Sequence, residues 1–182
     1  MLPGKVVKEF EINGEKFVFR YPLLKDYPQV QKHLSELIKE KALIGGTQKT
    51  TRKQEKETMQ CIIKRIKNRT QVYLLVESNK NILGEANVAK KSGVKSHVGE
   101  IGIAIHKSIR RQGIGTRLME AVIQEAKKNL KIEIVELEGF SQNKAAIGLY
   151  KKLGFKVVGV VKRGLKREGK YFDRILMVKY LL

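Results

Sequence analysis

The chain opens on alternation. From Val6 to Arg20 apolar and polar positions exchange on either side of Asn13-Gly14, a dipeptide that accepts φ > 0 at both centres of a tight turn, so two antiparallel strands joined as a hairpin are predicted. Pro22 stops the second strand. From Asp26 the period lengthens: Val30, Leu34, Leu37 and Ile38 fall at helical spacing, and Gly45-Gly46 is predicted to close that helix. A polar, basic stretch at 47–56 leads into a second helix with Met59, Ile62, Ile63 and Ile66 on one face. Residues 71–77 and 82–89 read as strands joined at Asn79-Lys80, and 98–105 as another, apolar enough for a strand buried on both faces.

The second half reads strand, helix, strand, helix, strand, strand. A basic, glycine-bearing loop at 108–116 precedes a helix with Ile114, Leu118, Ala121, Val122 and Glu125 in phase. A strand at 132–140, a short helix at 143–152 ended by Gly154, and a strand pair at 156–182 turning near Glu168-Gly169 complete the chain. A strand–helix–strand unit implies a right-handed crossover and one parallel pair inside an otherwise antiparallel sheet.

At 182 residues and 42% hydrophobic, the chain is long enough to bury a core and short enough for one domain. No stretch approaches the roughly 20 apolar residues of a membrane span, and Met1-Leu2-Pro3-Gly4-Lys5 leads into alternation and not into a signal-peptide core. The single cysteine, Cys61, excludes an intramolecular disulfide and a cysteine-built zinc site, so the expected compartment is the cytosol. Charge changes the picture most. Thirty-eight Lys and Arg against 18 Asp and Glu give a formal +20, which calls for an anionic partner: nucleic acid, a membrane surface, an acidic protein or a phosphorylated small molecule.

Arg110-Arg111-Gln112-Gly113-Ile114-Gly115-Thr116 sits between the apolar strand and an amphipathic helix. The first amides of a helix lack internal partners and carry the positive end of its dipole, so a phosphate suits that position. Glycines at 113 and 115 allow close backbone approach, and Arg110, Arg111 and Thr116 can add direct contacts. No Gly-Lys-Ser/Thr follows, as a Walker loop requires, and the three glycines of a dinucleotide fingerprint are absent. A basic helix start with glycines for tight packing is the plainer alternative.

Downstream come Asn143, Ala146, Leu149, Tyr150, Lys152, Gly154 and Phe155. With the Arg-x-x-Gly-x-Gly loop, that order and spacing resembles the GNAT superfamily of acetyl-CoA-dependent N-acetyltransferases, whose motifs read Gln/Arg-x-x-Gly-x-Gly/Ala and approximately Asn-x-x-Ala-x-x-Leu-Tyr-x-Lys-x-Gly-Phe. The resemblance runs from about Lys16 to the C-terminus and is strongest over 98–182, with 1–15 as an N-terminal extension carrying the first hairpin strand. Gly169-Lys170-Tyr171-Phe172-Asp173, followed by Met177, also looks like the close of several small-substrate and N-terminal acetyltransferases. The implied fold is an α/β domain of the α+β type over 1–182: a mixed, mostly antiparallel sheet with a splayed parallel pair and flanking helices.

By that similarity the pantetheine arm of acetyl-CoA pairs with the backbone of Ile103, Ala104 and Ile105. The pyrophosphate rests on Arg111, Gln112, Gly113, Ile114, Gly115 and Thr116, with Arg110 opening the motif. Asn143 helps hold the pantetheine; the same residue also suits a helix N-cap. Tyr150 aligns with the general acid, and a phenol of pKa near ~10 can protonate a departing thiolate. An amine must lose a proton before it attacks, so a carboxylate should face the cleft. Glu100, Glu138 and Glu85 lie in predicted central strands and are ranked in that order, with a structural ion pair as the alternative for each. Glu138 falls five before Asn143, where some ribosomal-protein acetyltransferases carry their glutamate. Which of the three face the cleft is not fixed by sequence.

His97 and His106 read as exposed strand-end residues, His33 as a surface residue beside Leu34, and Cys61 as a small core hydrophobe. No His, Cys and carboxylate spacing suggests a metal. In this superfamily the acceptor enters between the first two helices and the final hairpin. Residues 39–69 hold ten Lys and Arg against three Glu, which points to an acidic or phosphate-bearing acceptor: a protein N-terminus of ribosomal-protein type, a nucleic-acid-associated protein or an anionic amine. A spermidine-type acetyltransferase is the alternative within the class, and lysine-rich helix faces can also be simply solvated. A basic nucleic-acid-binding module without catalysis is the rival class; it explains the charge but not the second motif, so nucleic acid is not expected as the main partner. Neither a membrane partner nor a metal is expected, and homodimer formation is left open.

Overall fold

The computed structural model describes residues 1–45 and 50–181. The hairpin is β1 (Val6–Ile12) and β2 (Glu15–Arg20), turning where Asn13 and Gly14 take φ of 51° and 78°. Then come α1 (Tyr27–Lys39), α2 (Arg52–Lys67), β3 (Gln71–Ser78), β4 (Asn81–Lys90), β5 (Val98–Ile105), α3 (Ile114–Leu130), β6 (Ile134–Phe140), α4 (Lys144–Lys152), β7 (Lys156–Arg167) and β8 (Lys170–Tyr180). The eight strands form one sheet in the order β1-β2-β3-β4-β5-β6-β8-β7. The β5–β6 pair is parallel and its neighbours are antiparallel, so the mixed sheet expected from the sequence is the one observed. No described helix is long and apolar enough to cross a membrane.

Parallel pairing is brief. It runs Val98↔Ile134, Gly99↔Val135, Glu100↔Glu136 and then stops, while β5 continues to Ile105 and β6 to Phe140. The two strands therefore fork, each held on its outer edge by an antiparallel neighbour, β4 for β5 and β8 for β6.

The register assigns the two faces. Residues opposite one another on a ladder share a face, and alternate residues along a strand share it too. Glu85↔Ala104 and Glu100↔Glu136 thus place Glu85, Glu100, Glu136 and Glu138 on one face. The other face carries Ile101, Ile103, Ile105, Val135 and Leu137, and α3 covers it: a Cβ built on Gly115 of α3 would lie 3.8 Å from Ile103. On the glutamate face α1 packs against β4 and α2 against β3.

Several local expectations fail for identifiable reasons. α1 ends at Lys39, not at Gly45-Gly46, because Lys41 turns the chain with φ of 55°; Gly46 and the 47–49 part of the basic stretch lie outside the described residues, as does Leu182. β5 is not buried on both faces: Glu100 and Gly102 are exposed. His33 is in the core at 1% exposure, since Val30, His33 and Leu37 form the inward stripe of α1. Cys61 is exposed, pointing away from the Met59–Ile66 stripe of α2.

Candidate active site

The basic loop is shaped by backbone conformation. Arg111 and Gly113 both take left-handed φ, 62° and 78°, and this turns the amides that follow to one side, the geometry of an anion-binding concavity. Gly113 is the N-cap of α3, whose first internal bond runs from Arg117 N to Gly113 O at 3.1 Å. The amides of Ile114, Gly115 and Thr116 precede that bond and so have no helical acceptor. Gln112 braces the loop by donating to Ser108 O at 3.1 Å. Arg110 is occupied elsewhere: its Nε donates to Ile105 O at 2.9 Å and its guanidinium pairs with Glu40 just beyond α1. It ties loop, strand and helix together and leaves Arg111 as the nearer charge for a ligand.

Ile103 and Ile105 face the fork with their backbone groups. Lys91 N donates to Val98 O and His106 N to Leu83 O, each at 2.9 Å, so the even-numbered residues of β5 bond β4. In an antiparallel ladder the odd-numbered ones then aim N–H and C=O at the opposite edge, where β6 has already diverged. Ala104, between them, bonds β4 and turns its side chain to the glutamate face. Leu149 of α4 lies 3.6 Å from the position of a Cβ on Gly115, beside Ile103 and Ile105. The start of α3, the forked end of β5 and α4 therefore converge.

Tyr150 packs at 6.0 Å on Phe155, and burial alone raises its hydroxyl pKa. Among the described residues that hydroxyl has no hydrogen-bond partner in protein. Asn143 caps α4: its Oδ1 accepts from Ala146 N at 3.2 Å, and its Nδ2 approaches Leu43 O at 3.5 Å.

The three candidate glutamates share a face but not an environment. Glu100 and Glu138 are exposed; Glu100 lies 3.7 Å from Lys91, and Glu138 accepts from Arg174 at 2.8 Å. Both line a cavity of about 190 Å³ at the root of the fork, with Glu136, Lys91, Leu137 and the apolar side chains Val158, Leu176, Met177 and Val178 of the last two strands. Glu136 pairs with Lys91. A cavity of similar size between β1 and α3, lined by Val7, Lys8 and Glu120 among others, is remote from these groups.

Glu85 is enclosed. It accepts a hydrogen bond from the Tyr73 hydroxyl, and desolvation, opposed by that bond and aided by the nearby Glu55 carboxylate, pushes its pKa up to about 7. Glu55 is itself 3% exposed and accepts from Thr50 Oγ1 at 2.9 Å. Neither glutamate has a cationic partner among the described residues. Tyr73 and Glu55 escaped the sequence reading because strand register and helix docking bring them to Glu85. His33 lies close to the Ala104 backbone, and neither of its buried ring nitrogens has a hydrogen bond of good geometry among the described residues; desolvation, then His106, lower its pKa to about 4, opposed by the Ala104 backbone. No group of three or more His, Cys, Asp or Glu able to hold a metal occurs among the described residues.

Comparison with known proteins agrees with this arrangement. The model of the acetyltransferase (GNAT) family matches residues 36–155. An N-alpha-acetyltransferase of Sulfurisphaera tokodaii is 46% identical over 68 residues, 37% of this chain and 40% of that protein. The L-amino acid N-acetyltransferase AaaT of Escherichia coli is 33% identical over 85 residues, 47% of this chain and 52% of that protein. The chain thus spans about half the length of the curated relatives it matches, or less. A GNAT-family acetyltransferase structure from Streptococcus pneumoniae superposes with a TM-score of 0.81 at 26% identity, over 91% of this chain and 99% of that one. With the family model covering two thirds of its length and the forked sheet in place, the chain belongs to the GNAT acetyltransferase family.

Proposed function

We propose that the protein transfers the acetyl group of acetyl-CoA to a primary amine, both substrates bound together, with the amine entering from the glutamate face at the root of the β5–β6 fork. One observation carries this reading: the fork presents unshared backbone polarity and an amide concavity on one side, and a carboxylate-lined cavity on the other. The residues suit acetyl-CoA. Ile103, and the N–H of Ile105, whose carbonyl already accepts from Arg110, offer β-type hydrogen bonds to the pantetheine arm. The amides of Ile114, Gly115 and Thr116, with Arg111, suit the pyrophosphate; Asn143, beside the same cleft, keeps its proposed place on the pantetheine.

Acetyl-CoA supplies the thioester. Glu138 is assigned as the base that takes the ammonium proton, directly or through one water, because it lies on β6 two residues past the last parallel pair, inside the fork. Glu100 occupies that last pair and serves as the second carboxylate drawing the ammonium in; Glu85, bonded to Tyr73, sits one strand away on β4. Tyr150 returns a proton to the departing sulfur, for which a phenol held protonated by burial is suited. The acceptor is a protein N-terminus or a small amine. The N-alpha-acetyltransferase relatives favour the former; a spermidine-type acceptor remains the second reading through the C-terminal resemblance.

The test is acetyl transfer to a panel of peptides, amino acids and polyamines, read as free thiol, with calorimetry for acetyl-CoA. Glu138→Gln should lower kcat by 10²–10⁴, the usual weight of a general base, and leave acetyl-CoA affinity unchanged. Retained kcat in Glu138→Gln together with its loss in Glu100→Gln would move the base to β5. Absence of acetyl-CoA binding would remove the reading altogether.

A further inference from the structure

The turn that follows α1 is tied to three other elements. Lys41 takes φ of 55°; its N–H donates to Ile38 O and that of Ala42 to Leu37 O, each at 3.0 Å, the paired bonds of a Schellman stop made without glycine. Residues 40–43 are therefore an ordered turn. The Glu40 carboxylate takes the guanidinium of Arg110, whose Nε donates to Ile105 O at 2.9 Å. Leu43 O lies 3.5 Å from Asn143 Nδ2. Ala42 O accepts from Arg167, the last residue of β7, at 2.5 Å. Ile105 ends β5, and Asn143 stands three residues past the end of β6. The turn is thus a strap bonded to groups at both tips of the fork, with Arg167 anchoring it from the final hairpin. Neither the amide concavity nor the carboxylate floor uses Arg167.

The position of the strap relative to the floor gives it a length scale. At the root, Lys91 pairs with Glu136 and lies 3.7 Å from Glu100, which closes that end. Glu138 is two residues past the last parallel pair and so level with Gly102, and Ile105 is three residues farther along β5, a rise of about 10 Å. An extended acceptor whose amine meets Glu138 reaches the strap with its third or fourth residue, whereas a single amino acid ends short of it. We infer that Arg167 is a positioning residue for peptide acceptors: by holding Ala42 O it keeps the strap across the open end of the fork, where the strap bears on the residues behind the N-terminal amine. The inference rests on the acetyl-transfer reading above and narrows its acceptor to one several residues long. Arginine suits the task, because its guanidinium does not lose its proton and its hydrogen bond to a carbonyl is charge-assisted.

The experiment measures acetyl transfer from acetyl-CoA, read as free thiol, to two acceptor sets: four-residue peptide amides beginning with Ala, Ser or Met, and the amides of those three amino acids alone. In Arg167→Met the peptide KM should rise about tenfold, the weight of one hydrogen bond to a charged group, with peptide kcat and the KM of the single amino acid amides within about twofold of the parent. Arg167→Lys keeps a charged donor and should recover most of the peptide KM. Circular dichroism melts and acetyl-CoA calorimetry, matching the parent in both variants, control for folding. A KM rise of equal size in both sets, or a fall in kcat with KM unchanged, would overturn the inference. No change in either set would send the peptide across β6 and β8, over Leu176 and Val178, and overturn it too. A parent that acetylates neither set removes the acetyl-transfer reading for such acceptors and this inference with it; a parent that acetylates the single amides but not the peptides keeps that reading and overturns this one.

Discussion

Glu85 should make the fold less stable as pH rises, the reverse of the usual behaviour of a carboxylate. Folding lifts its pKa from 4.5 to about 7, so the native state holds this proton more tightly than the unfolded chain. Below 4.5 both states are protonated and the group costs nothing. Between 4.5 and 7 the cost grows, and above 7 it is complete at about 3 kcal/mol. His33 acts in the opposite sense: its pKa falls from 6.5 to about 4, so its contribution is present above 6.5 and is lost as pH drops toward 4. The two slopes oppose one another over nearly the same window, and a parent melt alone would show little of either. Glu85→Gln separates them. The amide keeps an acceptor for the Tyr73 hydroxyl but does not ionise, so the difference between variant and parent should be near zero at pH 4 and approach ~3 kcal/mol at pH 8. At roughly 2–4 °C per kcal/mol for a chain of this size, that is a gain of about 6–12 °C in Tm. Circular dichroism melts at pH 4, 5, 6, 7 and 8 measure it. A Tm difference that does not change with pH, or a variant less stable than the parent at pH 8, would refute the reasoning.

Tyr150→Phe should lower kcat and leave acetyl-CoA affinity in place, because among the described residues no group bonds the hydroxyl and its loss is confined to the transition state; equal turnover in pre-steady-state and steady-state assays removes it from the mechanism. At Gly115 a Cβ would meet Leu149 at 3.6 Å and Ile103 at 3.8 Å, ordinary contacts, so Gly115→Ala should fold and bind acetyl-CoA. Gly115→Asp should fold equally well by circular dichroism yet lose acetyl-CoA binding by calorimetry, since its carboxylate would meet the pyrophosphate. Gly113→Ala should cost about 1 kcal/mol through its left-handed φ, seen as a Tm lower by roughly 2–4 °C.

Local signals were legible and tertiary ones were not. Asn13-Gly14, Asn79-Lys80 and Glu168-Gly169 mark their hairpins because left-handed φ at those residues is a property of the turn itself. The glycine loop and Asn143 are likewise read directly, since a helix start advertises its own unpaired amides. His33 was misplaced although the information was present: Val30, His33 and Leu37 repeat at 3 and 4, and a polar residue in that stripe goes inside when the stripe does. Cys61 failed by the converse error, being next to apolar residues in sequence but on the opposite side of α2. The sharing of one sheet face by Glu85, Glu100 and Glu138 depends on the register between β4, β5 and β6, and register arises only when the strands meet. For the same reason Tyr73, Glu55, Lys91 and Arg174, which set the environments of those glutamates, could not be named beforehand.

Position also changes what the net charge of +20 means for the acceptor. The basic residues of 39–69 suggested an anionic substrate, yet the lysines of α2 are exposed and lie off the Glu55, Met59 and Ile66 stripe that the helix buries. The cavity at its root is lined by Glu100, Glu136 and Glu138 with Lys91 as its cation, and Arg174 meets Glu138 from β8. Three carboxylates against two cations make a locally acidic floor in a strongly basic protein. Charges beyond about 8 Å are largely screened at physiological ionic strength, so in the proposed reaction the floor acts on the amine most directly, and it favours an ammonium. The basic exterior acts on whatever remains outside. An acceptor with one amine on an otherwise neutral or acidic body satisfies both fields, as a protein N-terminus followed by acidic residues does, whereas a polyamine satisfies the floor and is repelled by the rest.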